Sequence, residues 1–162
     1  MLLNASQAFT VTNNLITQNG QFGSAALYGG VRAMQVPSGS RFVNNTVSDN
    51  RSGSVVGTFA AVRCDVALAL ANVIVFGNLA DGTASGISTT CSATYSDIDP
   101  SVSGSGNFDT NPLYDSTYHL MIGSPCINAG DPAGVPPAPP IDFDSQTRPR
   151  GARVDIGADE AG

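Results

Sequence analysis

The first half of the chain repeats one pattern three times: an apolar run of β-type residues, an asparagine, a second such run and a closing asparagine. The copies are Val11-Thr-Asn-Asn-Leu-Ile-Thr-Gln-Asn19, Arg41-Phe-Val-Asn-Asn-Thr-Val-Ser-Asp-Asn50 and Leu70-Ala-Asn-Val-Ile-Val-Phe-Gly-Asn78. Aligning the inner asparagines, Asn14, Asn45 and Asn72, gives a near-regular interval, and Asp97 falls at a similar distance beyond them. A period in this range means a solenoid, a propeller or an array. The runs are short, rich in Val, Ile, Phe and Thr, and broken by Asn, Gly and Ser, so they read as short strands with no helical period. Propeller blades need roughly 40 residues and hairpin turns. The shorter interval seen here instead suits one turn of a parallel β-helix with three short strands. Asparagine between two strands fits that fold. It tolerates the left-handed turn conformation, and its amide can bond to the same position one coil away, at about the 4.8 Å strand spacing. The ladder expected is therefore Asn14, Asn45 and Asn72.

The fold class predicted is all-β, a β-helix of about four short coils over residues 1–100, followed by a capping segment over 101–162 packed on the last coil. After Pro100 the composition changes to Gly, Ser and Pro, which cannot continue regular strands. A solenoid needs such an atypical end, because its last coil otherwise exposes apolar interior and strand edges. Leu120, Ile127, Ile141 and Ile156 are the expected apolar anchors of this cap. At the other end, residues 1–8 carry no polar cap, so either the chain is part of a longer solenoid or the bare first coil is covered by another copy; a homo-dimer packed through it is the expectation.

Charge narrows the partners. Charged residues make up 12% of the chain, lysine is absent, and the net charge is −6 with a pI near 4.3. There is no basic footprint for nucleic acid. No apolar run approaches the length of a membrane span, and no signal segment opens the chain. The acids concentrate late: residues 1–96 carry a net charge of +1, and 97–162 carry −7. Of the three cysteines, Cys64 and Cys91 stand one coil length apart, so they can meet on adjacent coils and bond. The alternative is that both are small apolar core residues, as free cysteines usually are.

In the second half, Asn107-Phe-Asp-Thr-Asn-Pro-Leu-Tyr, Tyr118-His-Leu, Ser124-Pro-Cys-Ile-Asn-Ala-Gly-Asp131, Asp142-Phe-Asp-Ser-Gln-Thr-Arg-Pro149 and Val154-Asp-Ile-Gly-Ala-Asp-Glu160 follow one another. This series resembles the C-terminal end of bacterial right-handed parallel β-helix proteins of the choice-of-anchor Q type, and the upstream coils resemble the wider pectate-lyase-like superfamily. The chain departs from that pattern at Asn128, Ser145 and Asp159, where Asp, Gly and an aromatic residue are usual. The resemblance implies a right-handed helix and a location outside a bacterial cell, extracellular or on the cell surface. It implies no reaction, since one fold hosts many functions.

Function then has to come from sites. A polysaccharide lyase needs a basic residue beside a carboxylate cluster, and Arg63 among the coil arginines, with Asp49 and Asp65, is the nearest approach. Glycoside hydrolysis needs two carboxylates about 5 to 9.5 Å apart, and Asp49, Asp65 and Asp81 come roughly once per coil. The plainer reading of all four is a solvated coil face. His119, the single histidine, reads as a packed structural residue. Asp142, Asp144, Asp155, Asp159 and Glu160 could gather around Ca²⁺, a hard cation that takes oxygen donors, with Asp142, Asp144 and Asp155 the candidate ligands. The competing reading is that the tail acids cap backbone N–H groups and pair with Arg148, Arg150 and Arg153. The sequons at Asn4, Asn44 and Asn50 are explained by turn asparagines. Two functions follow: a non-catalytic surface module that binds polysaccharide or acts as a structural spacer, or a carbohydrate-active enzyme with its site on a coil face. An exposed row of aromatics on one β-face would favour glycan binding; only Phe22, Tyr28 and Phe59 are candidates, and the competing reading is that one or more of them belongs to the core.

Overall fold

The computed structural model describes residues 1–21, 27–53, 59–134 and 137–162. Within them the chain is all-β, with fourteen short strands and no helix. They are β1 (Leu2–Asn4), β2 (Thr10–Thr12), β3 (Leu15–Thr17), β4 (Val31–Gln35), β5 (Arg41–Val43), β6 (Thr46–Ser48), β7 (Arg51–Ser52), β8 (Val62–Cys64), β9 (Leu68–Ala71), β10 (Ile74–Phe76), β11 (Leu79–Ala80), β12 (Thr83–Ala84), β13 (Cys91–Thr94) and β14 (Asp97–Ile98). Four sheets form, in the orders β1-β4-β8, β2-β5-β9-β13, β3-β6-β10-β14 and β7-β11-β12. Among the described strands every pairing is parallel except β11 with β12, a hairpin turning at Asp81-Gly82. Each parallel partner lies one repeat further along the chain: Leu15 stands opposite Thr46, Thr46 opposite Ile74, and Ile74 opposite Asp97.

Strand alternation sorts the side chains to two sides. Ile16, Val47, Val75 and Ile98 point inward from one sheet, Phe42 and Leu70 from another, and Ala33, Val62 and Cys64 from a third, into one apolar core. Phe42 and Leu70 fill the space between the sheets and the smaller Ala33, Val47, Val62, Cys64 and Val75 pack around them, as interiors are packed without voids. Gly30 shows the same tightness. A Cβ there would collide with the carbonyls of Ala60 and Ala61 in the next repeat.

Two files of polar side chains run through the corners of this core. Asn14 donates through its backbone N–H and its Nδ2 to Asn45 Oδ1, both at 2.9 Å. Asn19, Asn50 and Asn78 form the second file, with Nδ2 to Oδ1 distances of 2.8 and 2.9 Å. In both files the residue just before the rung takes a left-handed conformation, as at Asn13, Asn44, Gln18, Asp49 and Gly77. The expected alignment of Asn72 with Asn14 and Asn45 is corrected here. Asn72, at φ 52°, shares the left-handed position of Asn13 and Asn44, and Val73 occupies the rung. A β-branched valine does not take positive φ, whereas asparagine does, so the lone asparagine of the third repeat takes the turn and the valine takes the slot. Asp97 is likewise one place off. The rung of the fourth repeat is Ser96, whose Oγ accepts from Val73 N–H at 3.1 Å, and Asn107 Oδ1 accepts in turn from Ser96 N–H at 3.2 Å.

The segment after Pro100 does two things. Residues 102–108 extend the repeats: Val102 packs against the core, and Phe108 bridges to Asp97 as a parallel partner. The remainder does not stay on the last coil, as expected for 101–162, but lies along the outer side of the β3-β6-β10-β14 sheet. There Gln18 bonds to Tyr118 in the first repeat, Ser48 to Tyr114 and Asn44 to Asp155 in the second, Asn72 to Asp131 in the third, and Asp97 to Cys126 in the fourth. The reason is legible on the strands. Ile74 and Phe76 point outward and are apolar, and with Leu120, Cys126 and Ile156 they make a second core. Leu120 and Ile156 anchor the tail as expected and Ile127 packs at its margin. Ile141 does not; it is 44% exposed. Gly157 sits where the tail crosses β10. Its φ is +105°, and a Cβ there would meet Ile74 Cδ1 at 2.7 Å.

Candidate functional site

The coil acids stand at three different places in the repeat, so they do not stack. Asp65 follows β8 and holds two guanidiniums: Arg32 Nη2 at 2.7 Å and Arg63 Nε at 3.0 Å. Arg32 and Arg63 are direct cross-strand partners, a repulsive like-charge pair that Asp65 and the face of Tyr28 relieve. The two guanidinium carbons lie 4.6 and 5.7 Å from that ring. Their hydrogen bonds hold the Asp65 carboxyl below the usual range, and the bond to Asp65 raises Arg63. An arginine so held is a poor base. Tyr28, a candidate for an exposed aromatic row, lies under these cations. Phe59 pairs with it across the sheet, and Phe22 lies outside the described residues.

Asp49 is a left-handed turn residue between β6 and β7, and its Oδ2 accepts the Tyr118 hydroxyl at 3.0 Å beneath the tail. Asp81 occupies a left-handed position at the tip of the β11–β12 hairpin, exposed to solvent. Among the described residues no hydrogen bond or ion pair joins Asp49, Asp65 and Asp81. None of them lines the hollows on the coil surface. One groove, of about 310 Å³, runs over Arg41, Val43, Ala69, Ala71 and Thr94 on the outside of the β2-β5-β9-β13 sheet. A second lies over Ile87, Cys91, Ala93 and Val102. Both are floored by small residues and neither contains a carboxylate.

In the tail, Asp142 and Asp144 lie beside Asp159, and of the acids named for a cation the carboxylates of Asp155 and Glu160 stand apart from them. One carboxylate oxygen from each of the three lies within 4.8 Å of the others. Asp155 is elsewhere, in a separate cluster. The three acids are occupied by protein donors: Asp142 Oδ1 accepts from the N–H groups of Asp144 and Gln146, its Oδ2 from Glu160 N–H, and Asp159 Oδ2 from Leu120 N–H. Burial and the neighbouring Asp144 raise the Asp142 carboxyl, while the bond from Asp142 lowers Asp144. His119 Nδ1 lies 3.0 Å from Asp159 Oδ1, its ring 5.0 Å from that of Phe143. The bond to Asp159 raises the imidazole above its ordinary value. This is the geometry of a fastened loop.

The second cluster is an ion pair inside the tail. Arg148, with its side chain fully buried, meets Glu160 Oε2 at 3.2 Å and donates to the carbonyls of Asp155, Gly157 and Ala158. Asp155 accepts N–H bonds from Asn128 and Ala161, and burial pushes its carboxyl up to about 6. Through Nη1 and Nη2 Arg148 draws together the backbone of a strand-poor tail, while its Nε is buried without a hydrogen-bond partner among the described residues.

The meeting of Asp97 with Cys126 went unread in the sequence. Asp97 is fully buried under the tail, and burial raises its carboxyl to about 6, against opposing bonds from Thr110 N–H and the Cys126 thiol. Burial likewise raises the Cys126 thiol. Nothing local marks this pair, because the two residues are 29 apart and meet only where the tail crosses β14. Cys64 and Cys91 form a disulfide with Cα atoms 5.4 Å apart. It ties the end of β8 to the start of β13 across adjacent repeats.

No family model matches the chain, and no curated protein or solved structure matches it.

Proposed function

We propose that the chain is a right-handed parallel β-helix of choice-of-anchor Q character that serves outside the cell as a non-catalytic module, a rigid spacer with a shallow face for polysaccharide. The observation that carries this reading is the disposition of the acids. Asp65 is held by arginine, Asp49 by tyrosine and Asp142 by backbone N–H groups, Asp81 stands apart from them at an exposed hairpin tip, and the two grooves over the strands hold no carboxylate. Glycosidase chemistry needs two carboxyl groups facing one cleft at a set separation. Lyase chemistry needs an unengaged base.

Three further features support the reading. The tail clamps the repeats from the first to the fourth along one side, which suits a rod that bears load more than a site that opens and closes. A disulfide between repeats suits an oxidising compartment. The groove over Arg41, Ala69 and Thr94 offers one cation, hydroxyls and a flat floor, enough to touch an acidic sugar and too open to enclose one.

The experiment is a paired assay of the purified chain against neutral and uronate-containing polysaccharides, one arm for bond cleavage and one for retention on immobilised polymer. The expected result is no cleavage, with weak salt-sensitive retention that Arg41→Ala removes. Turnover abolished by Asp65→Asn or Asp49→Asn would overturn the proposal.

A further inference from the structure

The asparagine rungs of this fold share one polarity. A rung side chain reaches back to the repeat before it: its oxygen accepts the backbone N–H of the residue in the same slot there, and its Nδ2 donates to the carbonyl three residues before that slot. Asn45 accepts from Asn14 N–H and donates to Val11 O at 2.9 Å. Asn50 accepts from Asn19 N–H and donates to Ile16 O at 2.7 Å. Asn78 accepts from Asn50 N–H and donates to Val47 O at 2.8 Å. Asn107 accepts from Ser96 N–H and donates to Ala93 O at 2.9 Å.

Asn14 and Asn19 occupy the same slots beside β2 and β3, and β1, β2 and β3 are the edge strands of their three sheets. Among the described residues no donor reaches Asn14 Oδ1 or Asn19 Oδ1. This edge also lacks the usual protection: natural edge strands are blunted with charge, yet residues 1–31 contain no charged side chain, and Leu2, in the file of Arg32 and Arg63, is 61% exposed.

We propose that this edge is a docking surface for an extended peptide of the same repeat type, taken up parallel and in register over Asn14 and Asn19. The incoming segment supplies a backbone N–H to each Oδ1 and a carbonyl three residues upstream to each Nδ2, which at Asn14 replaces the local bond to Thr12 O and at Asn19 adds to the bond to Asn50. That relation fixes the direction. In an antiparallel segment the residue three before the slot lies on the other side of it, so a second copy meeting this edge about a two-fold axis cannot satisfy both asparagines. A second copy stacked head to tail would have to present the far end of the repeats, where Val102 packs against the core and Phe108 bridges to Asp97. The mode is strand addition, in which main-chain bonds give affinity and side-chain slots give register. The inference rests on the register alone and stands whether or not the chain touches polysaccharide.

The probe is a capped synthetic peptide copying residues 39–52, which carries both slots, titrated into the full chain. The readouts are the side-chain amide resonances of Asn14 and Asn19 and hydrogen exchange over Thr10–Thr12 and Leu15–Thr17. Saturable shifts of both amides and slowed exchange are expected. N-methylation of the peptide at its Asn45 and Asn50 positions, which removes the two slot N–H groups, should weaken binding about ten-fold or more. A tethered version removes the entropy of a free peptide: the same segment joined by a flexible Gly/Ser linker ahead of Met1 should raise the thermal midpoint, and its Asn45→Pro, Asn50→Pro form should not. Equal binding of the methylated peptide, equal midpoints of the two tethered chains, or a dimer through this edge that peptide does not displace would overturn the proposal.

Discussion

Asn50→Ala removes the central rung of the second ladder. The side chain is fully buried and makes four hydrogen bonds: Oδ1 accepts from Asn19 N–H and Nδ2 at 3.0 and 2.8 Å, and Nδ2 donates to Ile16 O and Asn78 Oδ1 at 2.7 and 2.9 Å. A typical bond is worth about 1 kcal/mol net, and a buried partner left unpaired costs about 1–3 kcal/mol. The two bonds to Asn19 sit at the edge, where water can replace them, so they count for less. Ile16 O and Asn78 Oδ1 are inside. The expected loss is therefore about 3 kcal/mol, a large part of a stability of about 5–15 kcal/mol. Asn14→Ala is the internal comparison. It loses two Nδ2 bonds, to Thr12 O and Asn45 Oδ1, at a half-buried position and leaves its backbone N–H on Asn45. A loss of about 1 kcal/mol is expected there. Urea unfolding with the disulfide intact measures both, with unchanged m-values as the check that the same transition is read. If Asn50→Ala costs no more than Asn14→Ala, the ladder is not a principal stabilising element and the reasoning fails.

Stability should fall as pH rises from 4 to 7. The Asp97 and Asp155 carboxyls are raised to about 6 in the fold, so between the ordinary value and 6 the folded state binds more protons than the unfolded one, and the loss is on the order of 2 kcal/mol after allowance for partial solvent access. His119, raised by Asp159, adds stability at low pH that is lost through its own titration; the contribution of Asp65, whose carboxyl is lowered, is lost only at pH below about 4. Thermal midpoints from pH 4 to 8 should therefore peak near 4 to 5, and a curve rising toward 7 would contradict these assignments. Arg148→Met should destabilise by about 3–5 kcal/mol, because it leaves Glu160 as a buried charge without its partner; a variant within about 1 kcal/mol of the parent in urea unfolding would show the pair to be dispensable. Gly157→Ala should cost more than about 1 kcal/mol through positive φ and the contact with Ile74 Cδ1, and near-parent stability would mean that the tail does not press on β10. Reduction of Cys64–Cys91 opens a loop that spans one repeat and should lower stability by about 3 kcal/mol, read as a drop in urea midpoint on adding reductant.

Period, strand chemistry and turn positions are local properties, and the chain carries them openly. Short Val, Ile and Thr runs favour pleated strands, asparagine accepts a left-handed φ, and two cysteines one period apart can meet. Register was only half legible. Equating Asn72 with Asn45 sets the third copy one place early, whereas the closing asparagines, Asn50 and Asn78, put Val73 in the slot of Asn45, and the structure follows the closing pair. That discrepancy was a usable signal, and so was the unbroken apolar run Val73-Ile-Val-Phe76. In a strand, such a run means that both faces are covered, and the tail covers the outer one. Where the tail lies, and which charges meet, is settled only in three dimensions. Asp159 joins Asp142 and Asp144 while Asp155 sits beside Arg148 and Glu160, and Asp97 meets Cys126. These pairings depend on side chains far apart in sequence converging on one outward sheet face. No local propensity encodes that convergence, because the free energy that selects it comes from burying Ile74, Phe76, Leu120 and Ile156 together.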